Sequence, residues 1–173
     1  LKHVRHQRLS VLIEQVKGIS LADFKKAHPE PFLVIQMMAS EDDVKAYLDR
    51  STVMEAASPE SAAVLKAAKE MFVTSIVKST EEPGSEIIIG RSAHSDILIP
   101  HLAISRKHAT ILFDRKKSRY SITDTGSANG TICDNVLLNP NVPKILHSGD
   151  TILFGRIVLG TFLLPAAMHE ILV

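Results

Sequence analysis

Three short groups of residues have the chemistry to hold a phosphorylated side chain: Gly90-Arg91, Ser105-Arg106-Lys107-His108 and Ser127-Ala128-Asn129-Gly130-Thr131. An arginine presents a planar fork of N–H donors that matches phosphate oxygens and keeps its charge at any working pH, which makes Arg91 the first candidate. A serine hydroxyl is a short donor that rotates to suit its acceptor, and an asparagine offers both donor and acceptor to an extended peptide backbone. Ser105 and Asn129 fit these roles. Gly90 and Gly130 stand where a tight turn or a positive φ lets the backbone approach a ligand without a Cβ in the way. The pattern reads as recognition of an anionic group by loops, with no catalytic residue assigned.

Composition narrows the alternatives. The chain has 173 residues, 45% of them apolar, enough for one well-buried core with a smaller satellite. Its 20 basic and 19 acidic residues nearly cancel, so no global field gathers nucleic acid or acidic lipid. The densest basic group, Arg115, Lys116, Lys117 and Arg119, surrounds an expected hairpin turn and reads as a solvated tip. Cys133 is the only cysteine, which rules out an intramolecular disulfide and a multi-cysteine zinc site and suits a reducing, cytoplasmic setting. The longest apolar runs are too short to span a membrane as a helix, and no secretory h-region follows the basic N-terminus. The chain begins without Met, as a piece of a longer protein would. Asn129-Gly130-Thr131 matches a glycosylation sequon only formally. The eight histidines are scattered, His3 and His6 included, and no metal or cofactor site is expected.

The elements that must position these loops change character along the chain. Ser20-Leu21-Ala22-Asp23 and Ser40-Glu41-Asp42-Asp43 resemble capping boxes that start helices, the first ending before His28-Pro29. Phe32 to Met38 is a short apolar run after two prolines and reads as a strand. A further helix is expected from Ser58 or Pro59 to Lys69. From about Met71 the period becomes two, with turn signals every eight to twelve residues, as in a sandwich or barrel. Strands are expected at 72–78, 86–89, 97–99, 109–113, 120–123, 131–133, 136–138, 151–154 and 157–164. The fold class is therefore mostly β. It divides into a mainly helical docked extension at 1–70, a β-sandwich at 71–165 and a C-terminal tail at 166–173.

Five ordered blocks carry a family resemblance: Ile89-Gly90-Arg91; Ser95-Asp96-Ile97; Ile104-Ser105-Arg106-Lys107-His108-Ala109; Asp124-Thr125-Gly126-Ser127-Ala128-Asn129-Gly130-Thr131; and Ser148-Gly149-Asp150 leading to Phe154-Gly155. Over about Met71 to Leu164 the chain resembles a forkhead-associated (FHA) domain, the phosphothreonine-peptide-binding β-sandwich. The resemblance implies phosphate contacts from Arg91 and Ser105, with Arg106 as an additional donor. It implies a peptide-backbone contact from Asn129 and a bracing role for His108, with Gly90, Ser127 and Gly130 as supporting structure. Partner-selecting contacts are expected from variable loops such as 92–95 and 133–135. The implied partner is a phosphothreonine-containing protein, the substrate of a Ser/Thr kinase, and the implied activity is binding in signalling, not catalysis. Ala128 stands where the family often has a hydroxyl residue, and Ala103 where a further basic residue sometimes precedes the serine. Each lost charge-assisted bond would weaken binding by about 1.5–3 kcal/mol.

Two other readings compete. The sandwich could be a phosphate-independent interaction or dimerisation scaffold in which Arg91, Ser105 and Asn129 only satisfy turns. Alternatively, Asp124-Thr125-Gly126-Ser127 reproduces the catalytic sequence of aspartic proteases. That chemistry needs two carboxylates sharing a proton, so a homodimer would have to supply the second. The order of the motifs, with Gly90-Arg91 before the Asp, favours the reader, with Asp124 capping a turn.

Overall fold

The computed structural model describes residues 7–38, 71–78 and 86–173. In chain order the elements are β1 (Gln7–Arg8), α1 (Leu9–Val16), α2 (Leu21–Ala27), β2 (Phe32–Met37), β3 (Phe72–Ser75) and β4 (Ile87–Gly90). They continue with β5 (Ile97–Leu98), β6 (Ala109–Asp114), β7 (Arg119–Asp124), β8 (Thr131–Cys133), β9 (Val136–Leu137) and β10 (Lys144–Leu146). The last are β11 (Thr151–Phe154), β12 (Val158–Leu163) and a closing helix, α3 (Pro165–Leu172). A seven-stranded sheet in the order β1-β3-β2-β12-β11-β8-β9 packs on a five-stranded sheet in the order β10-β7-β6-β4-β5. The expected mostly β sandwich is present, with small N-terminal helices.

Strand β2 shows why alternation alone did not describe this sheet. Leu33 and Ile35 face the sandwich core beside Ile152, Phe154 and Phe162, whereas Phe32 faces the other way into a second core with Phe24, Val73, Leu163 and Met168. Both faces are covered, so the strand reads as a continuous apolar run. The molecule thus has three layers: five-stranded sheet, seven-stranded sheet, then α1, α2 and α3. Full burial of a side chain such as Phe24 or Phe32 contributes about 1.5–3 kcal/mol.

Ser20 caps α2 as expected: its Oγ accepts the Asp23 N–H at 3.2 Å while its hydroxyl donates to Asp23 Oδ2 at 2.7 Å, and α2 ends before His28-Pro29. The helices expected from Ser40 and from 58–69 lie outside the described residues. Three features differ from the sequence expectations. The division at residue 70 does not follow the sheet, because β2 lies between β3 and β12 and pairs along its whole length with β12. The expected tail at 166–173 is instead α3, with proline at its start and Met168 and Leu172 buried. His169 Nε2 lies 2.9 Å from the Ile19 carbonyl, fastening α3 to the α1–α2 connection. Helix α1 and strand β10 were not expected at all. α1 lacks a capping side chain and β10 is three residues long.

Candidate functional site

Three loops meet at one end of the sandwich, following β4, preceding β6 and following β7. Their backbones are tied directly, with the Arg91 N–H donating to the Ser105 carbonyl at 3.0 Å and the Ser92 N–H to the Arg106 carbonyl at 3.3 Å. A Cβ on Gly90 would overlap the Arg106 carbonyl, so only glycine permits this approach. Gly130 has φ +78°, in the left-handed region that favours glycine.

His108 is fully buried and joins all three loops. Its Nδ1 accepts the Ser105 N–H at 3.1 Å, and its Nε2 donates to the Gly130 carbonyl at 3.2 Å. Its own N–H donates to the Ile89 carbonyl at 2.8 Å, and its carbonyl accepts the Thr125 N–H at 3.1 Å. Only the neutral ring protonated on Nε2 satisfies both ring bonds. Burial pushes the imidazole below its ordinary 6.5, outweighing the Gly130 carbonyl and the Asp124 charge, which act upward. The unfolded chain therefore binds the proton more readily, and the stability contributed by neutral His108 is present above about pH 6.5 and lost as pH falls through the depressed value. Protonation would also remove the acceptor of the Ser105 N–H. Ring nitrogen NMR should report an Nε2–H tautomer at pH 7 and a midpoint below 6.5; a midpoint at or above 6.5 would refute this picture.

Asp124, 1% exposed, organises the third loop. One oxygen accepts the N–H groups of Gly126 and Ser127, each at 2.9 Å. The other accepts the hydroxyls of Ser127 and Thr131, each at 2.6 Å. Burial raises its pKa, but these hydrogen bonds together carry the net shift below the ordinary carboxylate value. A carboxylate whose two oxygens are so occupied caps a turn and is placed poorly for shared-proton hydrolysis, which removes the structural support for the protease reading.

The remaining groups face outward. Ser105 Oγ accepts the Ala128 N–H at 3.0 Å, leaving its O–H to donate elsewhere, and Asn129 Nδ2 donates to the Ala103 carbonyl at 2.8 Å, leaving its Oδ1. The two alanines that depart from the expected pattern thus hold the site through their backbones. Arg91 and Arg106 are exposed and make no ion pair among the described residues. Lys107 pairs with Glu86 at 3.3 Å, an exposed contact of little energetic weight.

The FHA domain family model matches residues 87–155. The chain carries an FHA domain. A stretch of 89 residues is 34% identical to the Mus musculus angiogenic factor with G patch and FHA domains 1, covering 48% of this chain and 12% of that protein. This chain therefore accounts for a small part of that relative. The solution structure of the FHA domain of an Arabidopsis thaliana hypothetical protein is similar at 21% identity and a TM-score of 0.48, over 79% of this chain and 88% of that one. The N-terminal FHA domain of S. cerevisiae Rad53p, solved with a phosphothreonine peptide, is 18% identical with a TM-score of 0.45, over 53% of this chain and 83% of that one.

The FHA domain brings Arg91, Ser105, Arg106 and Asn129 to one surface, with Gly90, Ser127, His108 and Gly130 beneath or between them. The 92–95 loop sits beside Arg106, where Ser95 Oγ donates to the Arg106 carbonyl at 3.4 Å. The 133–135 turn is elsewhere. β8 starts at the site and carries that turn to the far end, where Asp134 accepts the Thr151 N–H at 2.9 Å. In its place the β11–β12 turn, Gly155-Arg156, reaches the site, with the Gly155 N–H donating to the Gly130 carbonyl at 3.0 Å. The sequence had signalled this turn only through Phe154-Gly155. Cys133, Asp134 and Asp150 gather within 4.8 Å, yet Lys144 sits 3.5 Å from Asp134 and supplies the positive charge there. Burial pushes the Cys133 thiol up to about 12, so it stays protonated. Among the described residues no helix is long and apolar enough to cross a membrane.

Proposed function

We propose that this FHA domain recognises a phosphothreonine in a protein partner. The observation that carries the reading is the convergence of Arg91, Arg106, the Ser105 hydroxyl and Asn129 on loops locked by His108. The cationic groups there are not neutralised by acidic neighbours among the described residues. Arg91, Ser105 and Arg106 take the phosphate, and Asn129 takes the peptide backbone beside it. The module binds and does not catalyse. We further propose a cytoplasmic setting in which a Ser/Thr kinase creates the ligand.

Titration of the chain with matched phosphothreonine, phosphoserine and unmodified peptides tests this. Phosphothreonine should bind tightest. Phosphoserine should be weaker by about 0.8 kcal/mol or more for the missing methyl, and the unmodified peptide weaker by at least about tenfold. Affinity should fall as pH drops through about 6, where the phosphate takes up its second proton. Equal binding of the unmodified peptide would instead support the phosphate-independent scaffold, for which Ala103 and Ala128, lacking side-chain donors, are the specific sequence support.

A further inference from the structure

We infer that Arg156, with Leu102 beside its turn, is a second recognition point that selects an acidic side chain in the bound peptide, an inference that rests on the phosphothreonine reading above. The β11–β12 connection is the three residues Gly155-Arg156-Ile157, within which Gly155 at φ +58° and Arg156 at φ +60° are the central pair of a tight turn closed by the Ile157 N–H donating to the Phe154 carbonyl at 3.2 Å. Turns of this mirror-image kind favour glycine or asparagine at both central positions. Arginine stands there against its backbone preference. Its side chain is exposed and makes no hydrogen bond or ion pair among the described residues, so the fold gives no reason for it.

Position supplies the reason. Gly155 lies against the Ala103 carbonyl, the same carbonyl that accepts the Asn129 side chain. Contacts run in sequence from Arg91 to Ser105, from Ser105 to Ala128, from Asn129 to Ala103 and from Ala103 to Gly155. A peptide anchored by its phosphate at Arg91 and Ser105 and laid extended across Asn129 arrives at this turn. Leu102, immediately before Ala103, is 91% exposed and offers an apolar surface on the same path. At roughly 3.3 Å per extended residue, a side chain a few positions from the phosphothreonine comes within reach of the guanidinium. A carboxylate is the complementary group, because a guanidinium binds it through two parallel N–H donors.

The test uses the full chain and a phosphothreonine peptide flanked by alanines, with Asp and Lys placed singly at each of four positions on either side. The wild type should bind one Asp peptide about fivefold more tightly than the parent, as for a partly exposed ion pair at an interface. Arg156→Gly should abolish that gain without lowering Tm, since glycine suits the turn, and Arg156→Glu should shift the preference to Lys. An Asp gain that survives Arg156→Gly overturns the inference. So does a wild type that prefers phosphothreonine over threonine but gains nothing from Asp at any position, an outcome that leaves the phosphothreonine reading standing. If phosphorylated and unmodified parent peptides bind alike, both fall together.

Discussion

Replacing Arg91 with alanine is expected to weaken phosphothreonine-peptide binding by about ten- to a hundredfold, the weight of one or two charge-assisted hydrogen bonds to phosphate. The loss should appear in calorimetric titration with Tm little changed. The Arg91 side chain is exposed and holds no ion pair among the described residues, while the bond that orders its loop comes from its backbone N–H. Arg91→Lys should recover only part of the loss, because an ammonium keeps the charge but not the planar fork. Ser105→Ala is expected to have a mixed effect, since its Oγ also accepts the Ala128 N–H and so shapes the third loop. An Arg91→Ala chain that binds phosphopeptide at full strength would place the phosphate elsewhere.

Asp124→Ala should lower stability by about 3–5 kcal/mol, because it strips the acceptor from two backbone N–H groups and two hydroxyls in a buried setting. For a chain of this size that corresponds to a Tm lower by roughly 10 °C. Asp124→Asn should be milder. Its Oδ1 can still accept the Gly126 and Ser127 N–H groups, and its Nδ2 can donate to hydroxyls that rotate to accept. Since hydrogen bonding holds the Asp124 carboxyl below its ordinary 3.8, its contribution is present above that value and lost as pH falls through the lowered one. Thermal melts between pH 3 and 7 of wild type and Asp124→Asn measure this. An unchanged Tm in Asp124→Ala would show that the loop is held by other means.

The sequence announced the site more fully than the architecture around it. Arg91, Ser105, His108 and Asn129 are distinct residue types at ordered intervals, and the structure places them on adjoining loops, where Ser105 accepts the Ala128 N–H and Asn129 donates to the Ala103 carbonyl. Strands β4 to β9 were legible because turn residues bracket short apolar runs. Three other elements were not legible in this way. Arg8 supplies no capping side chain to α1, β10 follows Pro143 directly, and α3 was read as a tail despite Pro165. β2 was recognised as a strand, but its partners lie far away in sequence, and no local pattern specifies a partner. The place of Arg156 is set in the same long-range way, since the approach of its turn to Gly130 is created by the pairing of β11 with β8.

The interior place of β2, between β3 and β12, bears on how the molecule is made. Phe32 pairs with Leu163, so neighbours in the sheet are separated by about three quarters of the chain, and closing so long a loop is an entropic cost met before the contacts form. During synthesis β2 must wait, its Leu33 and Ile35 lacking the β12 side of their sheet, until the C-terminal strand leaves the ribosome. The topology therefore predicts that the seven-stranded sheet is completed only once β12 is available to join β2 to β11. A fragment cut to the family match at 87–155 would keep β4 to β11 and the loops after β4, before β6 and after β7, while omitting β1, β2, β3 and β12, one whole side of the seven-stranded sheet, together with Arg156.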